Sequence, residues 1–241
     1  MTIPNEEIQA PEPIGLLREA RGLLELPRLL LESPRLARQP TGRGQPVLVL
    51  PGFGAGDAST AVLRAYVRYL GHRPRGWGLG RNTGDVPALL VRVLEQLDRN
   101  AAEERQPVAL IGWSLGGVLA REAARERPAA ARLVITLGSP VIGGPKYTAV
   151  AGFYRRQGID LDAVEAEVAA RNQQPLTTPV TAIYSRRDAV VAWRACIDRH
   201  APRVDHVEVD ATHVGLGFSP RVFQIIAERL ARPDSGARPS A

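Results

Sequence analysis

Ser114 sits in "GWSLG", residues 112–116, between an apolar run that ends at Trp113 and an alanine-rich stretch of helical pattern that begins at Leu115. A serine hydroxyl placed alone at such a bend can attack an acyl carbon only when a base takes its proton. The chain offers four histidines. His72 opens a weak strand pattern, His200 lies in a polar stretch, and His206 falls within a strand pattern. His213, in "DATHVGLGFSP", follows the last strand pattern in a glycine-rich loop, from which an imidazole can reach Ser114. That imidazole needs a carboxylate to hold its tautomer and stabilise its charged form. Asp188, in "AIYSRRDAVV", stands just past an apolar strand pattern. Its rivals are Asp198 on a helix-like stretch, Asp205 at a strand entrance and Asp210 close against a strand end. A loop aspartate can also do no more than cap or turn the chain. The predicted catalytic set is Ser114, Asp188 and His213, in that chain order.

These residues need a framework that brings distant loops together. Strand patterns at 46–50, 72–77, 107–113, 132–138, 179–185 and 206–210 alternate with helical patterns at 58–70, 86–104 and 115–127 and a last one from Pro220 to about 231. Ser219 is its expected N-cap, and Pro suits the first helical position because that N–H has no helical partner. Near-continuous apolar strands alternating with helices predict a parallel sheet covered on both faces. In that setting G-x-S-x-G is a sharp strand-to-helix turn: the serine backbone is strained, and glycines allow neighbouring chains to approach. The new helix aims its positive end at any oxyanion that forms there.

Residues 14–38 carry leucines at near-helical spacing with arginines between them and Pro27 in the middle. They read as two short amphipathic helices, interrupted at Pro27. Such helices either cover one face of the domain or lie weakly on a membrane surface. Residues 1–13 and 232–241 read as loose ends.

Composition excludes several classes. The net charge of +6 comes almost wholly from arginine, Lys146 being the only lysine, and is scattered rather than gathered, so no nucleic-acid partner is expected. No apolar run approaches the ~18–20 residues of a membrane span, and the first residues lack a secretory pattern. Cys196 is alone and reads as a small buried hydrophobe. A soluble, cytoplasmic protein is expected, with no metal-site spacing and no cofactor.

"GWSLGG", "LPGFGAGD", "YSRRDAVV" and "THVGLGF", with the order serine, aspartate, histidine, resemble the α/β-hydrolase superfamily, particularly its bacterial esterase and lipase-like branch, over about residues 46–231. The resemblance implies an α/β-hydrolase fold, here a reduced, mostly parallel sheet of about six strands with helices on both faces. It implies a small helical lid inserted at about 140–178, where 160–172 suggests an amphipathic helix. It also implies an oxyanion hole built from the N–H groups of Phe53 and Leu115, with Pro51-Gly52 standing where many members have His-Gly. Trp113, Phe153 and Tyr154, with Val150 and Ile142, are candidates for an acyl pocket, or for ordinary packing. Asn82, in "GLGRNTGD", either orders a loop beside the oxyanion turn or belongs to a plain turn. The implied activity is cleavage of apolar or lipid-like acyl esters through an acyl-enzyme. Acyl transfer or thioester cleavage at the same site, and a non-catalytic binding role on the same fold, are the alternatives.

Overall fold

The computed structural model describes residues 8–12 and 15–233. Six strands form one sheet: β1 (Pro46–Leu50), β2 (Arg73–Gly76), β3 (Val108–Trp113), β4 (Ala131–Leu137), β5 (Val180–Tyr184) and β6 (Val204–Glu208). Their spatial order is β2-β1-β3-β4-β5-β6, and every pairing is parallel. β6 lies two residues and β4 one residue earlier than their sequence patterns, and β2 is one residue shorter at each end. Proline-bearing β2, "RPRG", stands at one edge of the sheet, where the missing N–H of Pro74 breaks no inner ladder.

Successive side chains of each strand feed opposite cores. Val47 and Val49 of β1 join Leu63, Val67, Phe223 and Ile226, which come from α4 (Ala61–Tyr69) and α10 (Pro220–Leu230). Leu48 and Leu50 join Leu90, Val93, Leu97 and Leu119, from α5 (Val86–Glu104) and α6 (Leu115–Glu126). Burying each such side chain is worth about 1.5–3 kcal/mol. Ser219 has the extended backbone of an N-cap but makes no side-chain cap bond, so the start of α10 rests on Pro220 and on packing.

The chain before β1 folds back over the same side of the sheet as α10. It forms α1 (Leu16–Glu19), a 3₁₀ turn (Ala20–Leu24), α2 (Glu25–Leu31) and α3 (Ser33–Leu36). Pro27 does not interrupt this run as expected. It falls in the first turn of α2, where a missing N–H costs no helical bond, and the break comes instead at Glu32. Leu36 is buried in the core, whereas Leu17, Leu23, Leu24, Leu30 and Leu31 are exposed. Of the loose ends predicted at 1–13 and 232–241, residues 1–7, 13 and 234–241 lie outside the described residues.

Between β4 and β5 the chain makes a helical insertion with α7 (Ala151–Arg156) and α8 (Leu161–Asn172). α8 is less amphipathic than expected. Only Leu161 and Asn172 are buried in it, and Val164 and Val168, one turn apart, are its apolar contribution to the cavity described below. Arg171 of α8 bonds Glu122 at 2.6 Å, and Asn172 donates to the Val141 carbonyl at 3.0 Å, so the insertion is tied to α6 and to the chain leaving β4.

Candidate active site

The strand order reverses between β1 and β3, and the crevice outside the carboxyl ends of strands at such a point is where open α/β sheets bind ligands. Leu50 is in register with Gly112, so the loops leaving β1 and β3 emerge side by side. The first carries Phe53 and the second Ser114. Gly52 is where they meet: a Cβ there would lie 3.1 Å from Ser114 Cβ and 3.3 Å from the Trp113 carbonyl.

Ser114 adopts φ 55° and ψ −124°, a conformation that costs a non-glycine residue of order 1–3 kcal/mol. It is held there by its N–H bond to the Leu137 carbonyl at 2.8 Å, and it precedes the first residue of α6. The glycines on either side are required by packing. A side chain at Gly112 would strike the Gly116–Gly117 backbone, and one at Gly116 would strike the Leu50 carbonyl. As the first residue of α6, Leu115 has no intrahelical acceptor for its N–H. Nor is an acceptor found for the Phe53 N–H among the described residues.

The loop bearing Phe53 is stitched to residues 77–84. Buried Asn82 donates to the Pro51 carbonyl at 2.9 Å and accepts from Gly84 N–H at 3.1 Å, while its backbone exchanges bonds with Gly54 and Ala55 at 2.8 Å. Asn82 therefore orders the loop. Asp57 adds to this by accepting from the N–H groups of Trp77 and Gly78, a role with no signal in the sequence beyond its place after a glycine turn.

β5 and β6 are also neighbours, with Tyr184 opposite Glu208, and the chain beyond each carries one of the other two predicted residues. His213 Nδ1 stands 2.6 Å from Asp188 Oδ2. The second oxygen of Asp188 accepts from the N–H groups of Val190 and Val191 at 2.9 and 2.7 Å, which fixes the carboxylate within its own loop. His213 is not in an irregular loop but opens a short helix, α9 (His213–Leu216), capped by Thr212, and Trp113 Nε1 donates to its carbonyl at 3.2 Å. Burial works against charge on this imidazole, but the charge and hydrogen bond of Asp188, with the Glu19 carboxylate adding to them, hold its pKa above the ordinary 6.5.

The rival residues are engaged elsewhere. Asp198, in a loop and not on a helix, pairs with buried Arg121 at 2.5 Å; Asp205 pairs with Arg229, and Asp210 with Arg187. His72 is buried beneath Gly42. Cys196 is buried beside Val191 and Ala195, and burial pushes its thiol well up. Among the described residues no cluster of three or more His, Cys, Asp or Glu side chains is placed to hold a metal ion, and no helix is long and apolar enough to cross a membrane.

Ser114 and His213 line one cavity of about 740 Å³. Phe53, Trp113, Leu115, Val150 and Tyr154 line it as well, with Val164 and Val168 from α8. Phe153 does not. It is exposed and packs on the cavity-lining Phe53 with ring centroids 5.5 Å apart. Ile142 also lies off the cavity, its N–H bonded to the Ala195 carbonyl.

A sequence profile described as the alpha/beta hydrolase family matches residues 47–236. The chain belongs to that family. Among curated proteins the chain is similar to polyketide synthase ThaQ of Burkholderia thailandensis, at 39% identity over 110 residues. That match covers 41% of this chain and 5% of the synthase's length. Among solved structures it is similar to Bacillus licheniformis lipase BlEst2 in mature form, with TM-score 0.61 and 16% identity over 80% of this chain and 94% of that one. It is also similar to the thioesterase domain from the curacin biosynthetic pathway, with TM-score 0.53 and 15% identity over 80% and 93% of the two chains. At these identities the likeness to solved structures is one of fold.

Proposed function

We propose that this chain is a serine hydrolase of acyl esters, with Ser114 as nucleophile, His213 as base and Asp188 as the carboxylate that orients and stabilises the imidazole. The observation that carries this reading is the 2.6 Å contact of His213 Nδ1 with Asp188, made by a histidine lining the same cavity as a strained strand-to-helix serine. With Nδ1 committed to Asp188, Nε2 is the nitrogen left to take the Ser114 proton. Ser114 Oγ then bonds the acyl carbon, and the carbonyl electrons move onto its oxygen between the N–H groups of Phe53 and Leu115. Each such donor is worth about 3 kcal/mol in the transition state. Collapse expels the alcohol, which takes the proton from His213. Water, deprotonated by the same histidine, releases the acid and restores Ser114. The apolar lining of Phe53, Val118, Val141, Val164 and Val168 favours an apolar acyl group.

The test is labelling with a fluorophosphonate, followed by hydrolysis of p-nitrophenyl esters of graded chain length. Wild type is expected to label and to turn over; Ser114→Ala and His213→Ala are expected to do neither. Folded wild type that fails to label would move the chain to a ligand-binding role.

The stretch shared with a polyketide synthase favours a second reading, in which the acyl group arrives as a thioester. The catalytic steps are unchanged, with a thiol leaving in place of an alcohol. An acyl thioester of N-acetylcysteamine, compared with the matched ethyl ester, separates the two by the ratio of kcat/KM.

The N-terminal helices carry a proposal of their own. Leu17 and Leu31 are 80% and 81% exposed, with Leu23, Leu24 and Leu30 beside them and exposed Arg18, Arg21, Arg28 and Arg35 among them. An apolar stripe set among cations suits an anionic bilayer surface. Flotation with phosphatidylglycerol vesicles is expected, and Leu30→Gln with Leu31→Gln is expected to abolish it. Equal flotation of the two proteins would remove the helices' role.

A further inference from the structure

Gly15, Glu19 and Gly22 are spaced i, i+4 and i+7, which sets them on one face of the N-terminal helical run. That face is turned toward the two loops that carry Asp188 and His213. A Cβ at Gly15 would lie 2.9 Å from Ala189 Cβ, and one at Gly22 would lie 2.5 Å from Gly215 N and 2.6 Å from Thr212 Oγ1. The glycines let the backbone close onto the acid loop at one end and the base loop at the other. Between them Glu19, only 6% exposed, reaches both. Its Oε1 accepts from Ala189 N–H at 2.9 Å and its Oε2 from Val214 N–H at 2.8 Å. Those donors belong to the residues immediately after Asp188 and His213.

We propose that Glu19 is a positioning residue of the active site: its carboxylate fastens the acid loop to the base loop, and its charge stabilises the imidazolium of His213. The proposal rests on the assignment of His213 as base, but its test does not depend on ester turnover. A carboxylate is the group for this place because it accepts at both oxygens, whereas an amide presents one acceptor and one donor, and the donor would face an N–H. The charges around the imidazole come from several elements. Asp188 faces it from the β5 loop and Glu19 from α1, with Glu25 of α2 against Gly215. Arg18, Arg21, Arg186 and Arg187 line the groove behind Asp188 together with Glu12, Glu25 and Asp210. Within this set Glu19 and Asp188 are the two whose negative charge raises the pKa of His213. Glu19 precedes residue 47, where the family match begins, so the contact is supplied from outside the matched region.

The experiment is a proton-NMR titration of His213 in wild type, Glu19→Gln and Glu19→Asp, with the resonance assigned by its loss in His213→Ala, alongside kcat and KM on a p-nitrophenyl ester. Glu19→Gln is expected to lower the His213 pKa and to move the acid limb of kcat/KM to lower pH. It is also expected to reduce kcat about 10- to 100-fold with KM little changed, as loss of one positioning contact does. Glu19→Asp keeps the charge on a shorter arm, so its acid limb should stay near that of wild type while kcat falls. It also serves if Glu19→Gln does not fold. A packing role alone would lower folded yield and leave the His213 titration where it was, and that result in a folded variant overturns the proposal. If wild type proves inert toward esters yet the titration shifts in Glu19→Gln, the positioning role stands and the reaction assignment falls.

Discussion

His213 Nδ1 faces one oxygen of Asp188 while the other oxygen is taken by two backbone N–H groups of the same loop. The carboxylate therefore cannot turn, and a neutral imidazole is held through it with Nδ1 as donor and Nε2 as acceptor, the tautomer that the proposed removal of the serine proton requires. In Asp188→Asn the amide oxygen keeps the backbone bonds and its NH₂ group faces Nδ1, which selects the opposite tautomer. We expect kcat to fall by about 10⁴-fold. The acid limb of kcat/KM should also move down, because the Asp188 charge and hydrogen bond are what hold the His213 pKa above its ordinary value against burial. A pH–rate series on both proteins checks this, and a limb unmoved by the substitution would remove Asp188 from the role.

The backbone of Ser114 makes the opposite kind of prediction. Glycine has no Cβ and adopts φ 55° freely. Ser114→Gly should abolish labelling and raise unfolding stability by about 1 kcal/mol. Ser114→Ala, which keeps the Cβ and its strain, should lose labelling without that gain. Urea denaturation of the three proteins makes the comparison.

Asn82 holds the turn that presents the Phe53 N–H. Asn82→Ala leaves the Pro51 carbonyl and the Gly84 N–H without their side-chain partner in a buried place. The expected cost is about 1–3 kcal/mol of stability. An additional fall of about 10-fold or more in kcat would come from a misplaced donor. A stability loss with unchanged kcat would show that the turn keeps its shape without the side chain.

His72 sets a pH limit far from the site. Burial, with nearby Arg132 acting in the same direction, lowers its pKa to about 4 from 6.5. Between these values the unfolded chain binds the proton and the folded chain does not, so stability falls as pH drops from 6.5 toward 4, by on the order of 2 kcal/mol. His213 has the opposite sign. Its raised pKa contributes stability that is full below pH 6.5 and is lost as pH rises through the folded value. Neither ring nitrogen of His72 has a protein partner among the described residues. His72→Leu should therefore flatten the acid slope, seen as a smaller Tm difference between pH 7 and pH 4.5.

The residues whose signals are local were legible in the sequence. Ser114 is marked by glycines that packing requires, and Asp188 and His213 by their places just past strand patterns; β1, β3, β4 and β5 follow from apolar runs, whereas β2, "RPRG", had only a weak pattern. Glu19 was not legible, because a glutamate in a leucine-rich helix has the same local pattern whether it points to water or accepts from loops 170 and 195 residues away. Asp57 was missed for the same reason. Pro27 misled because its effect depends on where the helix begins. Phe153 misled because an aromatic side chain next in sequence to cavity-lining Tyr154 can pack behind the wall, here on Phe53, without entering the cavity.

The strand at the β2 edge has a consequence for how copies of this protein meet. An open strand edge offers unpaired N–H and carbonyl groups to any other strand, the usual start of sheet-to-sheet aggregation. Here Pro74 removes a donor in mid-strand, while Arg73 and Arg75 stand on either side of it in ion pairs with Glu103 and Glu104 of α5. A second chain adding there would have to leave a gap in the new ladder and displace paired charges. Arg68 also donates to the Pro74 carbonyl at 3.3 Å, so the sheet is closed to growth on that side by its own residues.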